Sequence, residues 1–171
     1  MEIRLLGPQI GVEVRGVDVK TMDDDAFGRI YQAWLDHNVM CVRGQDLTIP
    51  DFIRYSERFG PVTPHPSKST RHPEHPKITF LGINKFDADG KLRDEIYRRG
   101  AEGDALIAEL KQRMIAPDAE YHHKWEKGDI VIWDNRCSYH RAAGDYPPEE
   151  DRIHWRVSIN DFGVEVAEAA E

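Results

Sequence analysis

Apolar and polar residues alternate over Val12-Glu13-Val14-Arg15-Gly16-Val17, the period of a strand with one buried face. Asp23, Asp24 and Asp25 then offer an N-cap and a negatively charged first turn. The period changes there. Phe27, Ile30, Tyr31, Trp34 and Leu35 recur at helical spacing, which predicts a helix ended by His37 and Asn38. These aromatics read as core rather than as a binding box. Val39-Met40-Cys41-Val42 predicts a buried strand closed by Arg43-Gly44. Thr48 and Asp51 stand at capping-box spacing with Pro50 inside the first turn. Phe52, Tyr55, Ser56 and Phe59 carry the amphipathic helix that follows, and Gly60-Pro61 stops it.

Residues 61–77 are rich in Pro and His and read as an irregular surface loop. Ile78-Thr79-Phe80-Leu81-Gly82-Ile83 predicts a strand, and Asp87-Ala88-Asp89-Gly90 a turn. After Gly103 the character of the chain changes. Leu106, Ile107, Leu110 and Met114 predict a short helix. Tyr121, His123 and Trp125 alternate as a strand, Glu126-Lys127-Gly128-Asp129 reads as a hairpin turn, and Ile130-Val131-Ile132-Trp133 as the buried partner strand. Ile153, Trp155, Val157 and Ile159 make a last alternating strand, and the Ala/Glu-rich tail from Val164 reads as frayed. Mixed helices and strands followed by short antiparallel strands imply a mainly β fold, a sheet sandwich or open barrel with flanking helices.

Composition narrows this picture. The 171 residues suffice for a single domain over 1–171 with a true core. A net charge of −8 argues against a nucleic-acid partner, since counterion release needs a basic face. The two cysteines, Cys41 and Cys137, imply no disulfide framework, so a reducing cytoplasm is expected. The first residues are too short and polar a run for a signal peptide, and no apolar run is long enough to span a membrane.

The candidate chemistry lies in Trp133-Asp134-Asn135-Arg136-Cys137-Ser138-Tyr139-His140, together with Arg152 and Arg156. His140 follows a turn after a buried strand. A lone histidine there is more often a hydrogen-bonded structural residue. Arg152 and Arg156 shift that reading. Four residues apart in an extended strand, they share one face and offer guanidinium forks to a carboxylate or sulfonate, or else form internal salt bridges.

These residues resemble the taurine dioxygenase-like family of Fe(II)/2-oxoglutarate-dependent dioxygenases. The resemblance is specific over Trp125-Glu126-Lys127-Gly128-Asp129-Ile130-Val131-Ile132-Trp133-Asp134-Asn135-Arg136 and on through His140 to Arg156. It is weaker over Gly11 to Asp18, His37 to Gln45 and Arg58-Phe59-Gly60. It implies a double-stranded β-helix (jelly-roll) core. His140 would be the distal histidine of the iron triad, Arg152 would pair with the far carboxylate of 2-oxoglutarate, and Arg156 would clamp an anionic substrate. Fe(II), 2-oxoglutarate and O2 would together oxidise a C–H bond of a small organic anion with release of succinate and CO2. The resemblance also implies a homo-oligomer.

The family's early His-x-Asp motif does not occur in this sequence. His72-Pro73-Glu74 has the form His-x-Glu, but its proline breaks strand pairing, so it is not expected to bind metal. His65, His72 and His75 read as an exposed loop, with a weak metal-binding cluster as the alternative. The family's central segment is expected to be missing near Gly103/Asp104. It is absent from this chain though present in the protein, deleted from the gene, or lost in a non-catalytic relative. The first is preferred, because losing central strands leaves unpaired edges. The alternatives to a dioxygenase are a degenerate relative holding a keto acid or dicarboxylate through Arg152 and Arg156, and an unrelated cupin-like structural protein.

Overall fold

The computed structural model describes residues 1–65, 70–81, 101–115, 117–141 and 153–160. They fall into two compact units, one of Met1–Asp46 with Arg98–Ala143 and one of Leu47–Tyr97 with Gly144–Glu171.

The first unit is built on a four-stranded sheet. Its strands are β1 (Glu2–Leu5), β2 (Val12–Arg15), β3 (Val39–Val42) and β6 (Ile130–Trp133), in the order β1-β2-β3-β6. β2 and β3 are parallel and joined through α1 (Asp24–His37), while β1 and β6 pair antiparallel on either side. The predicted N-cap holds: Asp23 accepts from the Ala26 backbone N–H at 2.7 Å. Asn38 ends the helix in the left-handed conformation at φ 63°, which its short polar side chain tolerates. α1 packs on β2 and β3 with Ile30 fully buried. Phe27, Tyr31 and Trp34 stack along it at 5.8 and 5.5 Å.

Register sorts the sheet into two faces. Leu5, Val12, Met40 and Ile132 lie in one row, and Ile3, Val14, Val42 and Ile130 in the next. Val12, Val14, Met40, Val42 and Ile130 are buried. Arg4, Glu13, Cys41 and Val131 share the opposite face. β1 carries a register partner for every residue of β2, yet all four of its residues are exposed, so no buried face marks it in the sequence.

Two expectations change in this unit. Residues 121–126 form no strand, and β6 pairs with β3 rather than with them. Side-chain hydrogen bonds, described below, hold this segment where a ladder was expected. The alternation survives as exposure only, with His122 exposed and His123 half-buried. The predicted helix over 106–114 runs as α3 (Ala101–Met114), so the backbone is helical through Gly103 and Asp104. Its Leu106 and Leu110 are exposed.

The second unit contains α2 (Ile49–Glu57) and two strand pairs. β4 (Val62–Thr63) pairs antiparallel with β8 (Ser158–Ile159), and β5 (Thr79–Leu81) with β7 (His154–Arg156). The capping box at Thr48 and Asp51 is present, and α2 buries Tyr55 and Ser56. Tyr55 and Phe59 meet edge-on at 5.4 Å, and Val62 and Ile78 of the same unit are buried. Burial raises the Tyr55 phenol above its ordinary range. The segment read as wholly irregular contributes β4, because Val62 has Ile159 to pair with. The last alternating run divides into β7 and β8 with different partners. Its Ile153 and Trp155 are exposed, and Trp155 stacks on Phe52 at 6.3 Å. The turn at Asp87–Gly90 and the tail from Val164 lie outside the described residues.

Candidate active site

His140 is set up by the turn after β6. The Asp134 backbone N–H donates to the Asn38 carbonyl at 3.1 Å, tying the end of β6 to the end of α1. The Ser138 backbone N–H donates back to the Asp134 carbonyl at 3.0 Å, closing the turn. Trp133 Nε1 donates to Asn135 Oδ1 at 2.9 Å, and the Cys137 thiol to Asn38 Oδ1 at 3.1 Å. The hydrogen bond from Arg136 holds the Asp134 carboxyl below the usual carboxylate range. Trp133, Asp134, Asn135 and Cys137 therefore shape the turn. It presents His140 as an exposed imidazole whose ring lies 4.7 Å from that of Trp133.

The arginines belong to the second unit. Arg156 is half-buried on β7, where it is the register partner of Thr79 on β5. Arg152 lies outside the described residues.

A facial iron site needs two histidines and a carboxylate within bonding reach of one ion. Among the described residues, the group of three ligating side chains close enough is Cys41, His123 and Asp129, and His140 is not in it. His72 is engaged elsewhere. Its Nδ1 accepts from the backbone N–H groups of Glu74 and His75 at 3.1 and 3.2 Å, capping its own turn. Among the described residues, no iron triad is completed around His140.

The most heavily wired cluster among the described residues was not legible as a site. Glu13, read as the solvent-facing residue of an alternating strand, is only 1% exposed. Its carboxylate accepts from Arg4, from Arg15 at 2.8 and 3.1 Å, and from Arg43 at 2.7 Å. The hydrogen bond from Arg15, opposed by burial and reinforced by Arg43 and Arg4, lowers its pKa to about 2. Arg43 extends the network to Asp129 Oδ2, which also accepts from the Glu126 backbone at 2.8 Å and meets His123 Nε2 at 3.1 Å. His123 Nδ1 lies 2.6 Å from the Tyr121 hydroxyl. Burial pushes Tyr121 up to about 12 and, with the Asp129 charge adding to it, Cys41 up to about 12. The available signal was one of register: Glu13 lies opposite Arg4 and Cys41, and Arg43 follows two residues on.

Comparison with known proteins follows this geometry. The model of the family "Taurine catabolism dioxygenase TauD, TfdA family" matches residues 2–94 and 84–158, two pieces that overlap. The alpha-ketoglutarate-dependent 2,4-dichlorophenoxyacetate dioxygenase of Cupriavidus pinatubonensis is 49% identical over 66 residues, which are 39% of this chain and 21% of that protein. The protein of the same name from Burkholderia sp. is 40% identical over 66 residues, 39% of this chain and 20% of its own length. The matched stretch thus spans about a fifth of either relative. A solved structure of a putative alpha-ketoglutarate dependent 2,4-D dioxygenase from Burkholderia xenovorans superposes with a TM-score of 0.62. It covers 94% of this chain and 97% of its own at 15% identity, a likeness of fold.

Proposed function

The chain belongs to the taurine catabolism dioxygenase TauD, TfdA family, and we propose that it serves the 2-oxoglutarate-dependent oxidation of a small organic anion. The observation that carries this reading is the family match itself, which takes in β6, the turn to His140, Arg152 and Arg156. In this reading His140 is one ligand of Fe(II), and bound Fe(II) supplies the oxidising chemistry. Arg152 holds the far carboxylate of 2-oxoglutarate through a two-point hydrogen-bonded fork. Arg156, four residues on, orients the anionic group of the substrate. The sheet of the first unit gives His140 a stiff base, because both ends of its turn are hydrogen-bonded to Asn38.

The substrate class is a small carboxylate, sulfonate or sulfate ester. Aryloxyalkanoates come first because the similar proteins are named for 2,4-dichlorophenoxyacetate. In this reading the remaining two iron ligands come from a central segment missing from this chain near Gly103/Asp104. Whole-protein mass spectrometry on material from the native source tests that point: a mass of 19.7 kDa ends it. Succinate release tests the reaction. It should require Fe(II) and rise with an aryloxyacetate, and full turnover by His140→Ala would remove His140 as a ligand.

A second reading rests on the absence of His-x-Asp from the sequence. The 171-residue chain then holds 2-oxoglutarate or a related dicarboxylate through Arg152 and Arg156 without turnover. Binding measured with no succinate formed at any iron concentration selects it.

A further inference from the structure

A thiol, an imidazole and a carboxylate converge on the face of the sheet opposite Val12 and Val14. Ligating atoms of Cys41, His123 and Asp129 all lie within 4.8 Å of one another. Cys41 is fully buried, the Asp129 side chain is 0% exposed and that of His123 11%. Asp129 Oδ1 adds a second, independent observation: it is buried and has no hydrogen-bond partner. A buried carboxylate oxygen left without a donor forfeits its hydration with nothing in return, so such atoms are rare unless something else meets them.

We propose that Cys41, His123 and Asp129 bind a thiophilic divalent cation of the zinc type, which clamps residues 121–129 onto the sheet. Thiolate, imidazole and carboxylate form a donor set suited to zinc, and three protein donors leave a fourth position for water. Binding exchanges the Cys41 thiol proton for the metal, and the proton passes to solvent. Asp129 divides its two oxygens. Oδ2 stays with Arg43 and the Glu126 backbone, and Oδ1 takes the cation. His123 ligates through Nε2, giving up its 3.1 Å contact with Oδ2; the ring proton moves from Nε2 to Nδ1, which then donates to the Tyr121 hydroxyl 2.6 Å away and fixes the ring. The Arg43 guanidinium, which touches Asp129, is already shared between Glu13 and Asp129. The segment has reason to need a clamp, since residues 121–126 carry no ladder to the sheet. The cluster contains none of His140, Arg152 and Arg156, so its residues are distinct from those assigned to the proposed keto-acid site.

Titration of the purified chain with Co(II), a spectroscopic stand-in for zinc, tests this. The wild type should take up one equivalent with a near-ultraviolet thiolate-to-cobalt band, and Zn(II) should displace it. The band should persist in Cys137→Ser and His140→Ala. It should be lost, with affinity at least tenfold weaker, in Cys41→Ser and His123→Gln. Far-ultraviolet circular dichroism checks folding, and if Cys41→Ser does not fold, His123→Gln decides. A wild type without the band overturns the proposal. So does a band that survives in folded Cys41→Ser or in His123→Gln, or one that disappears in His140→Ala.

Discussion

The polar face of the four-stranded sheet and the turn that carries His140 are neighbours along the chain, yet they are built by opposite means. On the sheet face, one buried carboxylate is held by three guanidiniums, and the network runs on to Asp129 and His123. Around His140, Asn135, Arg136, Cys137, Tyr139 and Arg141 are exposed, and the turn is held by backbone bonds and short-range polar contacts. The buried polar network thus leaves out His140, the proposed iron ligand. A scaffold of this kind can persist when the proposed metal set around His140 is incomplete.

The strongest way to break this comparison is Glu13→Gln. It strands three arginines around a neutral group, and with Arg4 and Arg15 half-exposed the expected loss is about 3–4 kcal/mol, read by urea unfolding. Acid should act through the same group. Glu13 titrates at about 2 in the folded chain against an ordinary 4.5, so its stabilisation is complete above about pH 4.5 and is lost as pH falls towards 2. Glu13→Gln should flatten that part of the stability curve, and an unchanged curve would remove Glu13 as the keystone.

Gly128→Ala comes next. Gly128 sits at φ +84°, and a Cβ there would run into the Gln45 backbone, whose N–H donates to the Gly128 carbonyl at 2.8 Å. About 2–3 kcal/mol of destabilisation is expected, because strain and a clash add. Asp23→Ala should cost about 1 kcal/mol through the lost N-cap of α1. His140→Ala should leave thermal stability within about 0.5 kcal/mol of wild type, since the residue is exposed. A large loss there would erase the contrast between scaffold and site.

Periodicity carried most of the helices and the central strands. α1 with its caps, the α2 capping box, β3 and β6 follow from local chemistry alone. β1 escaped because it buries no face, and residues 121–126 because an alternating pattern is held here by side chains rather than by a ladder. β7 and β8 read as one strand because alternation does not reveal a change of partner. The turn before His140 was legible as a motif. The Glu13 and Asp129 network was not, since a carboxylate in an alternating strand looks solvated until its register partners are known.

Both functional readings require Arg152 to hold a dicarboxylate, so calorimetric titration of 2-oxoglutarate, and of succinate as a dicarboxylate without the keto group, into wild type and Arg152→Ala, with and without Fe(II), tests the account most directly. One equivalent should bind to the wild type, at least tenfold more weakly to the variant. Equal affinity in the two proteins, or no binding of 2-oxoglutarate or succinate to either, would contradict it.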